Sequence, residues 1–238
     1  MSTIINEPDF SALEKTIGYR FQNRDYVSTA LTHSSYSNEQ RSKGFTVQCN
    51  ERLEFLGDSV LSIIVSDYLY ATYPDLPEGD LSRIRSCTVC EKALDGFAHQ
   101  IGLGDYLLLG HGESMNNGRN RPSILADAFE ALIAAIYLDG GIEKARAFVL
   151  PFAISDIGCV MKSGRTKDYK TLLQQIIQQE QGEVLEYILV REYGPAHARH
   201  FDIEARLNSN VIGHGSGSTK REAEQNAAKE ALSLFGAE

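Results

Sequence analysis

Acidic residues spaced for one helix face are the first groups in this 238-residue chain that could do chemistry. In Glu51-Arg52-Leu53-Glu54-Phe55-Leu56-Gly57-Asp58 the acids stand at i, i+3 and i+7, so on a helix they fall within about 60° of one another. Leu53, Leu56, Val60 and Ile64 project to the opposite side, which separates a core face from an acidic face. A second pair, Asp127 and Glu130, is again at i, i+3, in a segment whose other positions are almost wholly apolar. The small side chains of Ala126, Ala131 and Ala134 beside it would let another helix or a bulky substrate come close. Like charges crowded in this way cost stability unless a cation sits among them. Four or five converging carboxylates, with no thiolate or histidine ligand, make a hard all-oxygen site suited to Mg2+ or Mn2+ rather than zinc. The absence of Glu-x-x-His argues against a ferritin-like di-iron bundle. In-line phosphoryl transfer is the natural chemistry of such ions, and a phosphodiester fits the site. Either cluster alone also fits a solvated helix face, whereas the two together favour the metal site.

A second set of chemistry-bearing residues lies toward the C-terminus. GSGSTKREAEQNAAKEAL, Gly215 to Leu232, sets a glycine-rich turn before a helix that opens with Lys220 and Arg221. Backbone N–H groups and the positive helix end would add to those side chains in holding phosphate. Gln174 and Gln178, at i, i+4, share a face of an earlier helix, and His197 lies in a GPAH turn between two strand-like segments. A solvated glutamine face and an ordinary capped helix are the alternatives for these features.

The elements that must carry these residues can be read from periodicity. From Phe10 to about Ile157 apolar residues recur three and four apart, which predicts an all-α unit. Asn23 is placed to cap a helix carrying Val27 and Leu31, and a long apolar helix from about Glu51 to Tyr70 is ended by Pro74 and Pro77. Another helix, about Ser123 to Leu138, stops at Gly140-Gly141. MKSGRTK, Met161 to Lys167, is short, polar and basic, the composition of a linker. Beyond it, a helix over Asp168 to Gln181 precedes strands at Tyr187 to Val190 and Phe201 to Leu207 and a third ending in the glycines at 213, 215 and 217. A last helix from about Thr219 to Phe235 completes the order α-β-β-β-α. The expected fold class is mainly α: an all-α catalytic domain over residues 1–160, a linker over 161–167 and a small α-β-β-β-α domain over 168–238.

Composition excludes several classes. At 42% hydrophobic and 23% charged residues the chain reads as a globular protein rather than a disordered one. Its longest apolar run, Ala131 to Leu138, is far short of the roughly 18 residues a membrane span needs, and the acidic start does not read as a signal peptide. A cytoplasmic location with no membrane partner is expected. Cys49, Cys87, Cys90 and Cys159 are too few and too irregular for a disulfide framework, and a lone CxxC lacks the second ligand pair of a zinc site, so reduced thiols are expected. The net charge of −9 argues mildly against nucleic acid as a partner. Local patches must therefore supply any attraction, with Lys220, Arg221, Lys170 and Lys229 carrying most of it in the C-terminal part.

The same residues bear a family resemblance. NERLEFLGDSVL, Asn50 to Leu61, resembles the signature of the ribonuclease III family. LTHSSY at Leu31 to Tyr36, PEGDLSRIRS at Pro77 to Ser86 and SILADAFEALIAAIYLDGG at Ser123 to Gly141 match in the family's order. DYKTLLQQIIQQ, GPAH and the Gly215 to Leu232 segment resemble a double-stranded-RNA-binding domain, with Thr219 and Arg221 departing from the GxGxSKKxA pattern while keeping the hydroxyl cap and the charge. The resemblance implies that Glu54, Asp58, Asp127 and Glu130 bind Mg2+, with Mn2+ able to substitute, and that Asp58 and Glu130 matter most for catalysis. It implies that Glu51 and Glu78 line a cleavage valley. Gln174, Gln178 and His197 would touch minor grooves of double-stranded RNA, reading 2′-hydroxyls and A-form shape, and Lys220 and Arg221 its phosphates. It further implies a homodimer through the catalytic domain, each site cutting one strand to leave 5′-phosphate and 3′-hydroxyl ends with a short 3′ overhang. Processing of ribosomal-RNA precursors and some messenger RNAs would be the role. His33 reads as a structural hydrogen-bonding group, and Arg83, Arg85, Arg119 and Arg121 stay undecided between phosphate and solvent. Two rival readings are an RNA-binding protein with an inactive scaffold domain and a di-metal hydrolase of small phosphoesters.

Overall fold

In the computed structural model, residues 10–162, 169–178, 182–195 and 198–236 are described. The chain divides into two compact units, Met1–Thr166 and Lys167–Glu238. Residues 163–167 of the expected linker, and His197, lie outside the described residues.

The first unit is helical: α1 (Ser11–Ile17), α2 (Arg24–Ala30), α3 (Ser34–Ser42), α4 (Glu51–Thr72), α5 (Glu78–Thr88), α6 (Glu91–Gln100), α7 (His111–Met115), α8 (Pro122–Gly140) and α9 (Ile142–Lys162). Asn23 caps α2 by accepting from the Asp25 N–H at 2.9 Å, as its residue type predicts. Leu31 falls just past the helix end rather than inside it. Pro122 opens α8 at a position where a missing N–H costs nothing, and Gly141 ends it at a φ of 82° that favours glycine. α8 is the unit's central rod, buried from Ile124 to Ile136 at almost every position except Asp127 and Glu130. Around it the rings of Phe97, Phe129, Phe148 and Phe152 stack α6, α8 and α9 together at centroid distances of 5.3 to 5.8 Å. Against its other side lies α4, through Leu53, Val60, Leu61, Ile64 and Val65.

The second unit comprises α10 (Tyr169–Ile177), β1 (Leu185–Tyr193), β2 (His200–Leu207), β3 (Asn210–Gly217) and α11 (Lys220–Ser233). Its antiparallel sheet has the order β1-β2-β3, with a bulge in β1 between Leu189 and Arg191. The first two strands are longer than periodicity predicts, because cross-strand pairing extends them past their apolar centres, and α10 is shorter. Asn208 and Ser209 turn β2 into β3 with positive φ at both positions, the two-residue hairpin geometry that matches strand twist.

Gly213, Gly215 and Gly217 lie at the end of β3, as expected of the third strand, so the turn before α11 is Ser218-Thr219 rather than the glycine-rich segment itself. Side chains on those glycines would collide with the backbone of α11 at Ala223, Ala227 and Ala231. The glycines and alanines thus let helix and sheet backbones approach, closing a core of Leu173, Ile177, Ile203, Ala205 and Leu232.

Candidate active site and phosphate-binding surface

Gly57, between Glu54 and Asp58, is where α4 meets α8: a methyl group there would overlap the Glu130 carbonyl. That backbone approach brings the two acidic clusters, 72 positions apart between Asp58 and Glu130, into one electrostatic field. Burial first, then the charges of Asp58, Glu54 and Asp127, push the Glu130 carboxyl up to about 8. Burial, with Asp127 and Glu51, raises Glu54. Asp127 is raised by burial, with Glu91 adding and His33 opposing. Glu54, Asp127 and Glu130 are half-buried, while Asp58 and Glu51 are exposed. Glu78 is not drawn into this group: exposed at the first residue of α5, it accepts from the Ser82 hydroxyl at 2.6 Å.

The loop before α4 is clamped on both sides. The Asn50 N–H donates to the Thr32 carbonyl at 2.9 Å, and His33 and Leu108 complete a strand-like pairing through Leu31. His33 caps α3, its Nδ1 accepting from the Ser35 N–H at 3.3 Å and lying 2.8 Å from the Ser35 hydroxyl. It does the structural work expected of it, yet its charge also reaches Asp127, so it borders the acid site. Glu91, at the start of α6, is a second neighbour that no spacing in the sequence announces, since it lies on a different helix.

Among the described residues no three His, Cys, Asp or Glu groups already stand together as a closed ligand set. Carboxylates of like charge repel, and of the neighbours acting on Glu54, Asp127 and Glu130 only His33, beside Asp127, works against the upward shift. The donor set is nonetheless that of a hard divalent cation: oxygens alone, partly buried, and held nearer to protonation than carboxylates in water.

In the second unit, Thr219 caps α11 by accepting from the Glu222 N–H at 3.1 Å, and Glu222 reaches back to accept from the Ser218 N–H at 2.8 Å. This reciprocal box leaves Lys220 and Arg221 exposed at the positive helix end. Gln174 and Gln178 are exposed one turn apart on and just beyond α10. Lys170 pairs with Glu224 at 2.7 Å and lies over the Tyr187 ring at 4.6 Å, so its charge also ties α10 to α11.

Residues 23–157 match the family described as Ribonuclease-III-like, and residues 169–234 match the double-stranded RNA binding motif. The chain belongs to the ribonuclease III family. It is 46% identical over 224 residues to Ribonuclease 3 of Clostridium tetani, covering 94% of each chain. With Ribonuclease 3 of Bacillus licheniformis it shares 45% over 223 residues, 94% of this chain and 88% of the relative. The nuclease domain of ribonuclease III from Campylobacter jejuni superposes with a TM-score of 0.57 at 38% identity, over 62% of this chain and 98% of that domain.

Within that family frame, the arginines left open by sequence are committed to structure. Arg119 donates to the Gly104 carbonyl at 2.8 Å, Arg121 pairs with Glu113 at 2.8 Å, and Arg85 donates to the Ser66 hydroxyl at 2.9 Å. Arg83 lies 3.4 Å from Asp80. All four cysteines are free thiols. No helix among the described residues is long and apolar enough to cross a membrane.

Proposed function

We propose that this chain is a divalent-metal-dependent endonuclease of double-stranded RNA, with residues 1–160 as catalytic domain, 161–167 as linker and 168–238 as RNA-binding domain. The observation that carries it is the joining of the α4 and α8 acids across the Gly57–Glu130 approach. Glu54, Asp58, Asp127 and Glu130 would hold Mg2+ or Mn2+, with Asp58 and Glu130 as the catalytic pair. When bound, the ion supplies an activated water and neutralises charge on the leaving oxygen. The protein's own contribution is to hold four carboxylates, three of them half-buried, on two rigid helices, a geometry that a loop could not keep. Glu51, and Glu78 from its position on α5, would line the path of the RNA.

Gln174, Gln178 and His197 would meet the minor groove, and Lys220 and Arg221 the phosphates between. A homodimer through the catalytic domain is supported by the outer face of α4, where Phe55, Ile63 and Tyr70 are 79%, 58% and 78% exposed. At the N-terminal end of α4 opens a cleft of about 710 Å³ lined by Leu53, Leu56 and Leu138 together with Asp25, Arg41 and Arg52. The Campylobacter structure is itself described in terms of a region involved in dimer formation. Two sites, one per strand, would leave 5′-phosphate and 3′-hydroxyl ends with a short 3′ overhang. Ribosomal-RNA precursors and some messenger RNAs in the cytoplasm are the proposed substrates.

Long duplex RNA incubated with the purified protein and Mg2+ should be cut to short duplexes, while single-stranded RNA and small phosphoesters are spared. Turnover of a small phosphoester with no cleavage of duplex RNA would overturn the reading, and duplex binding with no cleavage would favour an inactive scaffold.

A further inference from the structure

The acidity of the C-terminal unit leaves its few cations to be accounted for one by one. Of Lys170, Arg191, Arg199, Arg206, Lys220, Arg221 and Lys229, three are spent on carboxylates: Lys170 on Glu224, Arg199 on Glu192 and Arg206 on Glu204, each at 2.7 Å. Among the described residues Arg191, Lys220, Arg221 and Lys229 have no carboxylate partner. Lys220 and Arg221 already stand at the phosphate-binding helix end. Arg191 is the cation that no motif points to.

Its surroundings are organised. The Arg191 guanidinium lies over the Tyr193 ring, 4.8 Å from the centroid, and Tyr193 in turn stacks on His200 at 5.7 Å with the planes 22° apart. Tyr193 and His200 are cross-strand partners at the end of the sheet from which the 194–199 connection leaves. Next to His200, Phe201 pairs with Gly217, and Lys220 lies over its ring at 5.8 Å. By strand alternation Arg191, Tyr193 and His200 share the face away from the helices, and Phe201 shares the core side. The two cations therefore flank the same end of the sheet. The Glu222 carboxyl, beside Lys220, is held below its ordinary range first by hydrogen bonds from Ser218, with His200 the smallest contributor. The nearby acids are engaged: Asp202 accepts from the Ser216 hydroxyl at 2.7 Å, and Glu222 from Ser218.

A guanidinium held over an aromatic ring loses rotamer freedom in advance while its N–H groups can still meet a phosphate. We infer that the Arg191–Tyr193–His200 stack is a further RNA-backbone contact, with Arg191 binding a phosphate of the duplex held by Lys220 and Arg221. The inference rests on the reading of this unit as a duplex-RNA binder. It explains how an acidic unit would hold a polyanion: among the described residues, Arg191 on the outer face and Lys220 on the helix side, neither paired with a carboxylate, stand at the same end of the sheet.

The test measures affinity of the full chain for a duplex RNA across a salt series, in Ca2+ to suppress cleavage, for wild type, Arg191→Ala, Arg206→Gln and Lys220→Ala. Loss of one phosphate contact should flatten the slope of log K against log salt by about 0.9, about eightfold in affinity at 0.1 M relative to 1 M salt. Arg191→Ala and Lys220→Ala should each show this, and Arg206→Gln, which removes equal charge from an ion-paired site, should show much less. An unchanged slope for Arg191→Ala beside a flattened one for Lys220→Ala overturns the inference alone. Equal effects of Arg191→Ala and Arg206→Gln also overturn it, because the cause is then diffuse charge. Wild type that fails to bind duplex RNA overturns the underlying reading instead. Melting temperatures separate any of these from misfolding.

Discussion

At the scale of single residues, Glu130 links structure to a measurable proton. An ordinary carboxyl of its type ionises near 4.5, whereas in the fold it holds its proton up to about 8. Between those values the folded state carries a proton that the unfolded chain has released, so metal-free stability falls as pH rises through the window. Glu54 and Asp127, also raised, act in the same direction. Glu130→Gln should flatten this decline: in chelator, its melting temperature is expected to drop less than wild type's between pH 5 and 8. Equal slopes would mean that neither burial nor the neighbouring acids raise the Glu130 carboxyl in the fold. Gly57 offers a second test, because any side chain there must push α4 off the Glu130 backbone. Gly57→Ala should destabilise by about 1–3 kcal/mol, the usual cost of overpacking, and lower cleavage by misplacing the acids. A variant with wild-type melting and activity would show that the approach is looser than the geometry requires.

Among the elements, α4 serves three faces at once. Leu53, Val60 and Ile64 enter the core, Glu51, Glu54 and Asp58 form the acidic arc, and Phe55, Ile63 and Tyr70 stand exposed on the third. Apolar spacing showed the first two faces. The third is invisible in periodicity, because whether an apolar residue is covered depends on which helices happen to pack there. Phe55 is the useful probe, since a side chain so exposed contributes little within one protomer, and surface changes usually fall within about 0.5 kcal/mol. Phe55→Asp is accordingly expected to leave secondary structure intact while shifting sedimentation at micromolar concentration from dimer to monomer. Wild type that sediments as a monomer, or a variant that stays dimeric, would remove this face from the interface.

For the whole molecule, the acids lie in one compact unit and the helix proposed to meet phosphate in the other. Removing residues 168–238 should therefore weaken duplex binding several-fold at physiological salt, yet leave cleavage detectable at low salt, where long-range attraction is least screened. A truncated chain that stays folded but never cuts would show that the second unit completes the active site.

Much of this was decided by sequence alone, because local rules act within a few residues. Helical spacing put Glu51, Glu54 and Asp58 on one arc and Asp127 with Glu130 on another, and the change of texture after Lys167 marked a second unit with α-β-β-β-α order. Residue type likewise predicted the Asn23 and Thr219 caps. Tertiary structure alone decided which arcs meet, since the Gly57–Glu130 approach joins positions that no local rule connects. It also paired Lys170 with Glu224 and set the glycines that end β3 against α11, whose backbone they admit. It set Arg191 on Tyr193 across from His200, a pairing fixed by strand register and a bulge. Charge and ring contacts of this kind depend on distances between elements, and periodicity along a chain carries no information about those.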